Sequence, residues 1–250
     1  MTNGGNTPPG WYPDPYYPGS TRYWDGATWT AHAQATYAPA SPLDVAAGTK
    51  AANRARIAFP CQAATAVLVS LLYPYVIDRF VDDVRAASND SYGSNRPFGS
   101  SGSFGPANAL IQLGGLVSLA ALACIMVWAY RATVNARALG RPTTHTPAWA
   151  ALAWIIPVVN FWYPYQVVRD LLPDGHADRP LVARWWGCYL AGSLLVFLPV
   201  GLHFAVSDGA GLAAAAVPAG LLLLAAFTAR HLVGAIEAAQ LSAAQGQVRA

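Results

Sequence analysis

The chain has 250 residues, 54% of them hydrophobic and only 11% charged, a balance far from that of a soluble globular domain. The net charge of +3 comes from scattered basic residues with no Lys/Arg block interleaved with aromatics, which argues against nucleic acid as a partner. All the acids fall outside the long apolar runs, the pattern a bilayer imposes because a charge at its centre is costly.

The opening residues are polar and Pro/Gly-rich and lack the apolar core of a signal peptide. From Gly10 to Thr30 the chain reads GWYPDPYYPGSTRYWDGATWT, and Asp25-Gly26 between two aromatic/Thr runs predicts a β-hairpin with a two-residue turn. In that register Trp24 faces Ala27 and Arg22 faces Trp29, so both Trp rings and the Arg share one face, with Tyr23 and Thr28 opposite. The candidate interaction residues of this module, residues 8–32, are Trp11, Arg22, Trp24 and Trp29, because a Trp pair beside a Pro-rich strand suits a polyproline ligand. Self-packing is the alternative: Pro8, Pro9, Pro13, Pro15 and Pro18 could cover Trp24 and Trp29 in a unit too short for a sizeable core. GWYPDP followed by RYWDGATWT resembles the short actinobacterial family called domain of unknown function 2510, a likeness that implies no activity.

Residues 33–53 lack an apolar period and read as a flexible linker to a membrane domain over residues 54–240. Residues 57–77 are apolar for the length a spanning helix needs, and the Ser/Gly/Asn-rich residues 80–106 read as a mobile loop. The second predicted span, 107–129, carries Gly114 and Ser118 four apart, a face suited to close helix contact. A basic turn, RATVNARALGR, leads to residues 147–168, where Pro157 and Pro164 interrupt an apolar run with Asn160 between them. Trp154, Pro157, Asn160, Trp162 and Pro164 are the candidates here, either as a cavity wall or as an inner-face hairpin held by aromatic anchors. The hairpin is preferred because no ionisable group accompanies Asn160. The prolines are expected to free the carbonyls of Ala153 and Asn160, and a buried Asn160 amide to satisfy Ala153. Two further spans, 185–207 and 211–229, are joined by a turn at Asp208-Gly209.

VWAYRATVNARALG, WIIPVVNFWYPYQVVRDL and RWWGCYLAG resemble the actinobacterial membrane family called domain of unknown function 4328. The resemblance covers most of the chain after Lys50 and implies a membrane protein, with no catalytic residue to carry over.

Four spans with both termini cytoplasmic put Arg22, Lys50, Arg54, Arg56, Arg131, Arg137, Arg141, Arg169, Arg179, Arg184, Arg230 and Arg249 inside. Only Arg79, Arg85 and Arg96 are then outside, and Trp128, Trp149, Trp154, Trp162, Trp185 and Trp186 gather at one interface. A fifth span through 147–168 splits the bases almost evenly and scatters the tryptophans. Gln62, Thr65, Asn108, Gln112 and Ser118 read as hydrogen-bond partners between helices, and the Gly114/Ser118 and Gly187/Ala191 faces permit association within a chain or in a homo-oligomer.

No HExxH, GxSxG, phosphate loop or intramembrane carboxylate pair is present, so an enzyme is not expected. Cys61, Cys124 and Cys188 occupy separate apolar runs, while His32, His145, His176 and His231 stand singly and read as solvated, as does His203 near the outer end of its run. No metal or other cofactor is expected.

The expected fold is an all-α integral membrane bundle of four spanning helices plus a Pro-broken inner-face hairpin, preceded by a small aromatic β-hairpin module. The expected role is that of a plasma-membrane adaptor or scaffold, with the lipid bilayer and a protein held by the module as partners. A small transporter or channel subunit with a cavity at the Pro-broken segment is the alternative.

Overall fold

The computed structural model describes residues 7–15, 20–35, 43–89, 106–196 and 208–249. The chain divides into two compact units, Met1–Leu43 and Asp44–Ala250.

The first unit is a three-stranded antiparallel sheet, β1 (Gly10–Pro13), β2 (Ser20–Trp24) and β3 (Trp29–Ala35), in the order β1-β2-β3. It has one strand more than the expected hairpin, and its register also differs. Trp24 pairs with Trp29 rather than with Ala27, and Arg22 pairs with Ala33 across an irregularity. The cause is the Asp25 side chain. Its Oδ1 accepts the N–H groups of Ala27 (2.7 Å) and Thr28 (2.6 Å), its Oδ2 accepts the Thr28 hydroxyl (3.1 Å), and the Asp25 N–H reaches the Thr28 carbonyl (3.2 Å). These bonds hold a longer loop, Asp25–Thr28, than a two-residue turn, with Gly26 at φ +100° where a side chain would be strained. Arg22, Trp24 and Trp29 nevertheless share a face, because the strand period of two does not depend on the turn.

The Thr28 and Ala27 amides hold the Asp25 carboxyl below the usual carboxylate range. A depressed folded pKa stabilises the fold above the unfolded value of about 3.9 and loses that contribution as pH falls through the folded pKa. Protection of the Ala27 and Thr28 amides, their exchange rates taken relative to those of an unstructured chain at the same pH, is therefore expected to fall below about pH 4, and Asp25→Asn to weaken that pH dependence.

The second unit contains α1 (Val45–Asn89), α2 (Pro106–Ala138), α3 (Pro147–Leu152), a 3-10 turn at Val159–Phe161, α4 (Tyr163–Leu171), α5 (Arg179–Leu195) and α6 (Asp208–Arg249). Among the described residues, three stretches are long and apolar enough to cross a membrane: Val45–Asp82, Pro106–Ala138 and Ala215–Gln247. The expected spans 57–77, 107–129 and 211–229 fall within α1, α2 and α6. Of the expected span 185–207, residues up to Leu195 are helical and 197–207, with His203, lie outside the described residues.

The boundaries move outward throughout. β3 runs to Ala35 and α1 starts at Val45, so the expected linker 33–53 is strand at one end and helix at the other, with 36–42 outside the described residues. Phe80–Asn89 continues α1 instead of opening the loop, of which 90–105 lie outside the described residues. Asp208-Gly209 begins α6 instead of forming a turn. Alanine explains the earlier start of α1, since AANRAR has high helix propensity but little hydropathy. Asp44 caps that start by accepting the Ala47 N–H (2.9 Å). The end of α2 is closed by Gly140 at φ +76°, with Gly140 N–H donating to Arg137 and Arg141 N–H to Ala136, both at 2.9 Å. At 1.5 Å per residue α1 is about 67 Å long, more than twice the roughly 30 Å of bilayer hydrocarbon.

The two prolines do not break one helix. α3 ends at Leu152, before Pro157, and Pro164 sits in the first turn of α4, where its missing N–H costs nothing. Thr146 caps α3 through the Trp149 N–H (3.4 Å). With 6 and 9 residues, α3 and α4 are each far shorter than the roughly 20 residues that cross a bilayer.

One buried cluster joins Ala51, Ala52, Ala55 and Phe59 of α1, Ala129, Ala132 and Ala136 of α2, Val167, Val168 and Leu171 of α4, and Leu232, Val233 and Ile236 of α6. Small residues on α1 and α2 let those backbones approach closely. Away from this end, Leu113, Leu116 and Leu119 of α2 are exposed, and only 17% of its apolar window is buried among the described residues.

Candidate functional site

The β1–β3 module has two unlike faces. On one, Trp24 and Trp29 meet edge-on at 5.3 Å and Tyr12 meets Trp29 at 6.4 Å. This face carries its own cover. The Trp24 indole N–H donates to the Thr7 carbonyl (3.1 Å), the Tyr12 hydroxyl donates to the Pro8 carbonyl (2.9 Å), and Pro9 lies 3.3 Å from where a Cβ on Gly26 would stand. On the other face Trp11 and Tyr23 meet edge-on at 5.5 Å, and Trp11 is 44% exposed.

Arg22 belongs to the framework. Its Nε donates to Asp14 Oδ2 (2.9 Å) and its Nη1 to the Thr30 carbonyl (3.0 Å), and the Asp14 side chain is fully buried. The four candidates therefore do not make one surface: Trp24 and Trp29 are brought together, Arg22 clamps the strands, and Trp11 stands on the opposite side. Pro18 lies outside the described residues.

In the second unit the basic turn after α2 forms a polar lattice that sequence reasoning used only for topology. Asn135, buried, accepts the Asp44 N–H (3.3 Å) and donates to the Asp44 carbonyl (3.1 Å). Arg137 donates to Thr143 Oγ1 (2.6 Å) and to the His145 carbonyl (2.8 Å). Arg141 donates to the Leu171 (2.8 Å) and Asp170 (3.3 Å) carbonyls, satisfying the C-terminal end of α4. Asp170 accepts the Thr144 N–H (2.9 Å). Burial opposes its ionisation, but the Thr144 bonds and the Arg169 guanidinium outweigh that and hold the carboxyl below its usual range. Burial also lowers the Arg141 pKa, opposed by the charges of Asp174 and Asp170. Gln240 of α6 donates to the Ala132 carbonyl (2.8 Å), and Arg56 of α1 pairs with Glu237 of α6 at 2.5 Å. The signal available in sequence was a run of long polar side chains, three arginines and Asn135, beside a Gly that ends a helix.

Three of the histidines are not solitary. His145 stacks on Tyr163 at 4.0 Å and bonds to Gln166 (2.7 Å), while His231 lies 3.2 Å from Asp178 and the Asp178 N–H donates to His176 Nδ1 (3.1 Å).

Most of the tryptophans expected as interfacial anchors are core. Trp128, Trp154 and Trp185 surround Phe59 at 6.0, 5.9 and 6.2 Å, and Trp186 donates to the Phe161 carbonyl (3.0 Å), pinning the turn before α4. Their indoles fill the space that the alanines of α1 and α2 leave open. Trp149 and Trp162 remain exposed. Of the residues expected between helices, Thr65 and Ser118 bond at 2.7 Å, and Gly114 faces Thr65 within the chain. Gly192, not Gly187, makes the close approach in α5, since a Cβ there would lie 2.8 Å from Leu222 Cγ.

Asn160 does not play the expected part. With Pro157 in a turn there is no helix for it to repair, and its Oδ1 is buried without a hydrogen-bond partner. Asn160→Leu is thus expected to raise stability by about 1 kcal/mol rather than lower it, because an unpaired buried acceptor is removed. Thermal unfolding in detergent checks this: a lowered midpoint would mean that the oxygen is satisfied by headgroup water.

A cavity of about 220 Å³ lies between α1, α5 and α6, lined by Phe59, Gln62, Tyr189, Ser193 and Leu222 among others. None of the five candidates of the Pro-broken segment lines it.

By the length and composition of α1, α2 and α6, the class this unit defines is that of helical membrane proteins. The chain belongs to the family described as domain of unknown function 4328 (DUF4328), whose model matches residues 100–244, more than half of it. Residues 9–42 match the family described as protein of unknown function 2510 (DUF2510). No curated protein and no solved structure matches the chain.

Proposed function

We propose that the protein is a membrane-anchored adaptor that spans the plasma membrane four times with both termini cytoplasmic and captures a protein partner through the exposed Trp11–Tyr23 face. Its work is binding rather than catalysis. The observation that carries the reading is the asymmetry of the sheet: Trp24 and Tyr12 are bound by Thr7 and Pro8 of the same chain, whereas Trp11, edge-on to Tyr23, is left 44% exposed. A rigid aromatic pair offers a large contact area at little entropic cost, and the module already binds the Pro8 carbonyl through the Tyr12 hydroxyl. The fitting partner is a proline-containing extended peptide. The four-span topology is supported by the two short helices α3 and α4, and by the bonds that tie Arg137 and Arg141, at the end of α2, to the Thr143–His145 turn and to the end of α4.

In-cell crosslinking of the full chain tests the proposal. Trp11→Ala is expected to abolish partner capture at unchanged membrane levels, and Trp24→Ala to loosen the Thr7–Pro9 cover. Unchanged capture by Trp11→Ala would sink the adaptor reading. The transporter reading has less behind it, since the described cavity is mostly apolar and no charged side chain lines it.

A further inference from the structure

On the outward face of α6, Leu223 and Leu224, Phe227, Arg230 and His231, Gly234 and Ala238 succeed one another turn by turn, each three or four residues from a member of the next group, which places them on a single stripe. The stripe changes character along its length. Leu223, Leu224 and Phe227 are exposed to 42%, 55% and 68%, while from Arg230 onward it becomes the floor of an open groove walled by Arg56 of α1 on one side and by His176 and Asp178 on the other. Arg56 ends the polar start of α1 just before its apolar run, and Arg230 follows the apolar run of α6, so both mark the depth where hydrocarbon gives way to headgroups.

Both carboxylates of the groove are engaged. Glu237 takes Arg56 at 2.5 Å, and Asp178 takes His231 at 3.2 Å with His176 at 3.9 Å. The Arg56 guanidinium lies flat over Gly234, its Nη2 3.2 Å from where a Cβ would stand, so Gly234 keeps that wall low. Arg230 is exposed, with no carboxylate paired to it among the described residues. An exposed cation directly above an exposed apolar stripe is complementary to a molecule with an anionic head and apolar tails.

We infer that this face of α6 binds an anionic phospholipid, its phosphate held by Arg230 and His231 beside Arg56 and its acyl chains lying along Phe227, Leu224 and Leu223. The inference rests on the membrane reading but not on the adaptor role. A free phosphate shares the headgroup chemistry and would lack the lower half of the contact.

The test uses the full chain in nanodiscs of equal phosphatidylglycerol and phosphatidylcholine, with native mass spectrometry reporting the lipid retained after release. Phosphatidylglycerol is expected to be enriched about fivefold over the bulk ratio, the factor that one arginine near an anionic surface contributes. Arg230→Gln with His231→Gln should return retention to the bulk ratio, whereas Arg184→Gln, an exposed base on α5, should not. Phe227→Ala should shorten retention without changing the headgroup preference. Equal retention of the two lipids by the wild type, or full enrichment in the double variant, would overturn the site. Stabilisation of the lipid-free protein in detergent by inorganic phosphate, lost in the double variant, would reassign it to a free phosphate. A chain that fails to enter nanodiscs at all would strike the membrane reading, and this inference with it.

Discussion

Arg22→Ala is expected to unfold the N-terminal module and to leave the helical unit intact. Asp14 is a carboxylate with a fully buried side chain, and Arg22 is the partner that neutralises it while also satisfying the Thr30 carbonyl. Removing one member of a buried ion pair costs on the order of 3–5 kcal/mol, because the other charge is stranded. A sheet of this size draws no more than about 3–5 kcal/mol from its core, so the loss consumes all of it. Replacing both partners by apolar residues, Asp14→Leu with Arg22→Met, should cost less than the single change, since no charge is then buried alone. Hydrogen exchange over residues 10–35 of the full chain reads the result. Persisting protection of β2 and β3 in Arg22→Ala would show that the pair is not the clasp. The same measurement separates this variant from Trp11→Ala, which should lose its partner with protection unchanged.

The second large effect is expected where α1 begins. Gly48 faces the Asn135 amide so closely that a Cβ would collide with Nδ2, and that amide is the group that holds the Asp44 backbone at both N–H and C=O. Gly48→Ala should therefore destabilise by about 1–3 kcal/mol through overpacking. Asn135→Ala should destabilise by about 1 kcal/mol, since the Asp44 N–H loses its acceptor while the Asp44 carbonyl keeps the Gly48 N–H. Combined, the two should not add. With the amide gone the alanine has room, and its better helix propensity should make Gly48→Ala stabilising by up to about 1 kcal/mol in the Asn135→Ala background. Thermal unfolding of the four proteins in one detergent decides the matter, and additive losses would mean that Gly48 and Asn135 do not meet.

What could be read from the sequence was the part written in hydropathy. The runs 57–77, 107–129 and 211–229 are helical because a long charge-free stretch has few alternatives. The helix extensions were hidden because alanine, small and weakly hydrophobic, reads as linker in Ala46–Ala52 although its size is what brings α1 against α2. The loop of the module was hidden for a different reason: Asp25-Gly26 is a two-residue turn signal only while the Asp25 carboxylate does not bond further along the chain. At the Pro-broken segment, residue types identified a bend but not its kind. Pro164 starts a helix as readily as it ends one, and position within the helix is a property of the fold. The clamps of Arg137 and Arg141 reach carbonyls and hydroxyls elsewhere in the chain, partners that carry no mark in sequence.

The bonds at the polar end of the bundle also set an order of events during synthesis. Asn135 grips the backbone of Asp44, made 91 residues earlier, and the carbonyl of Ala132 waits for Gln240, made 108 residues later. Until the ribosome has delivered α2, the start of α1 has only its Asp44 cap, and until the last turns of α6 emerge, α2 is fastened on one side alone. This end of the protein thus closes only once Gln240 has been made. A message truncated before Glu237 would yield helices that enter a bilayer but stay unlatched, with Arg56 facing no counter-charge and open to quality-control proteases.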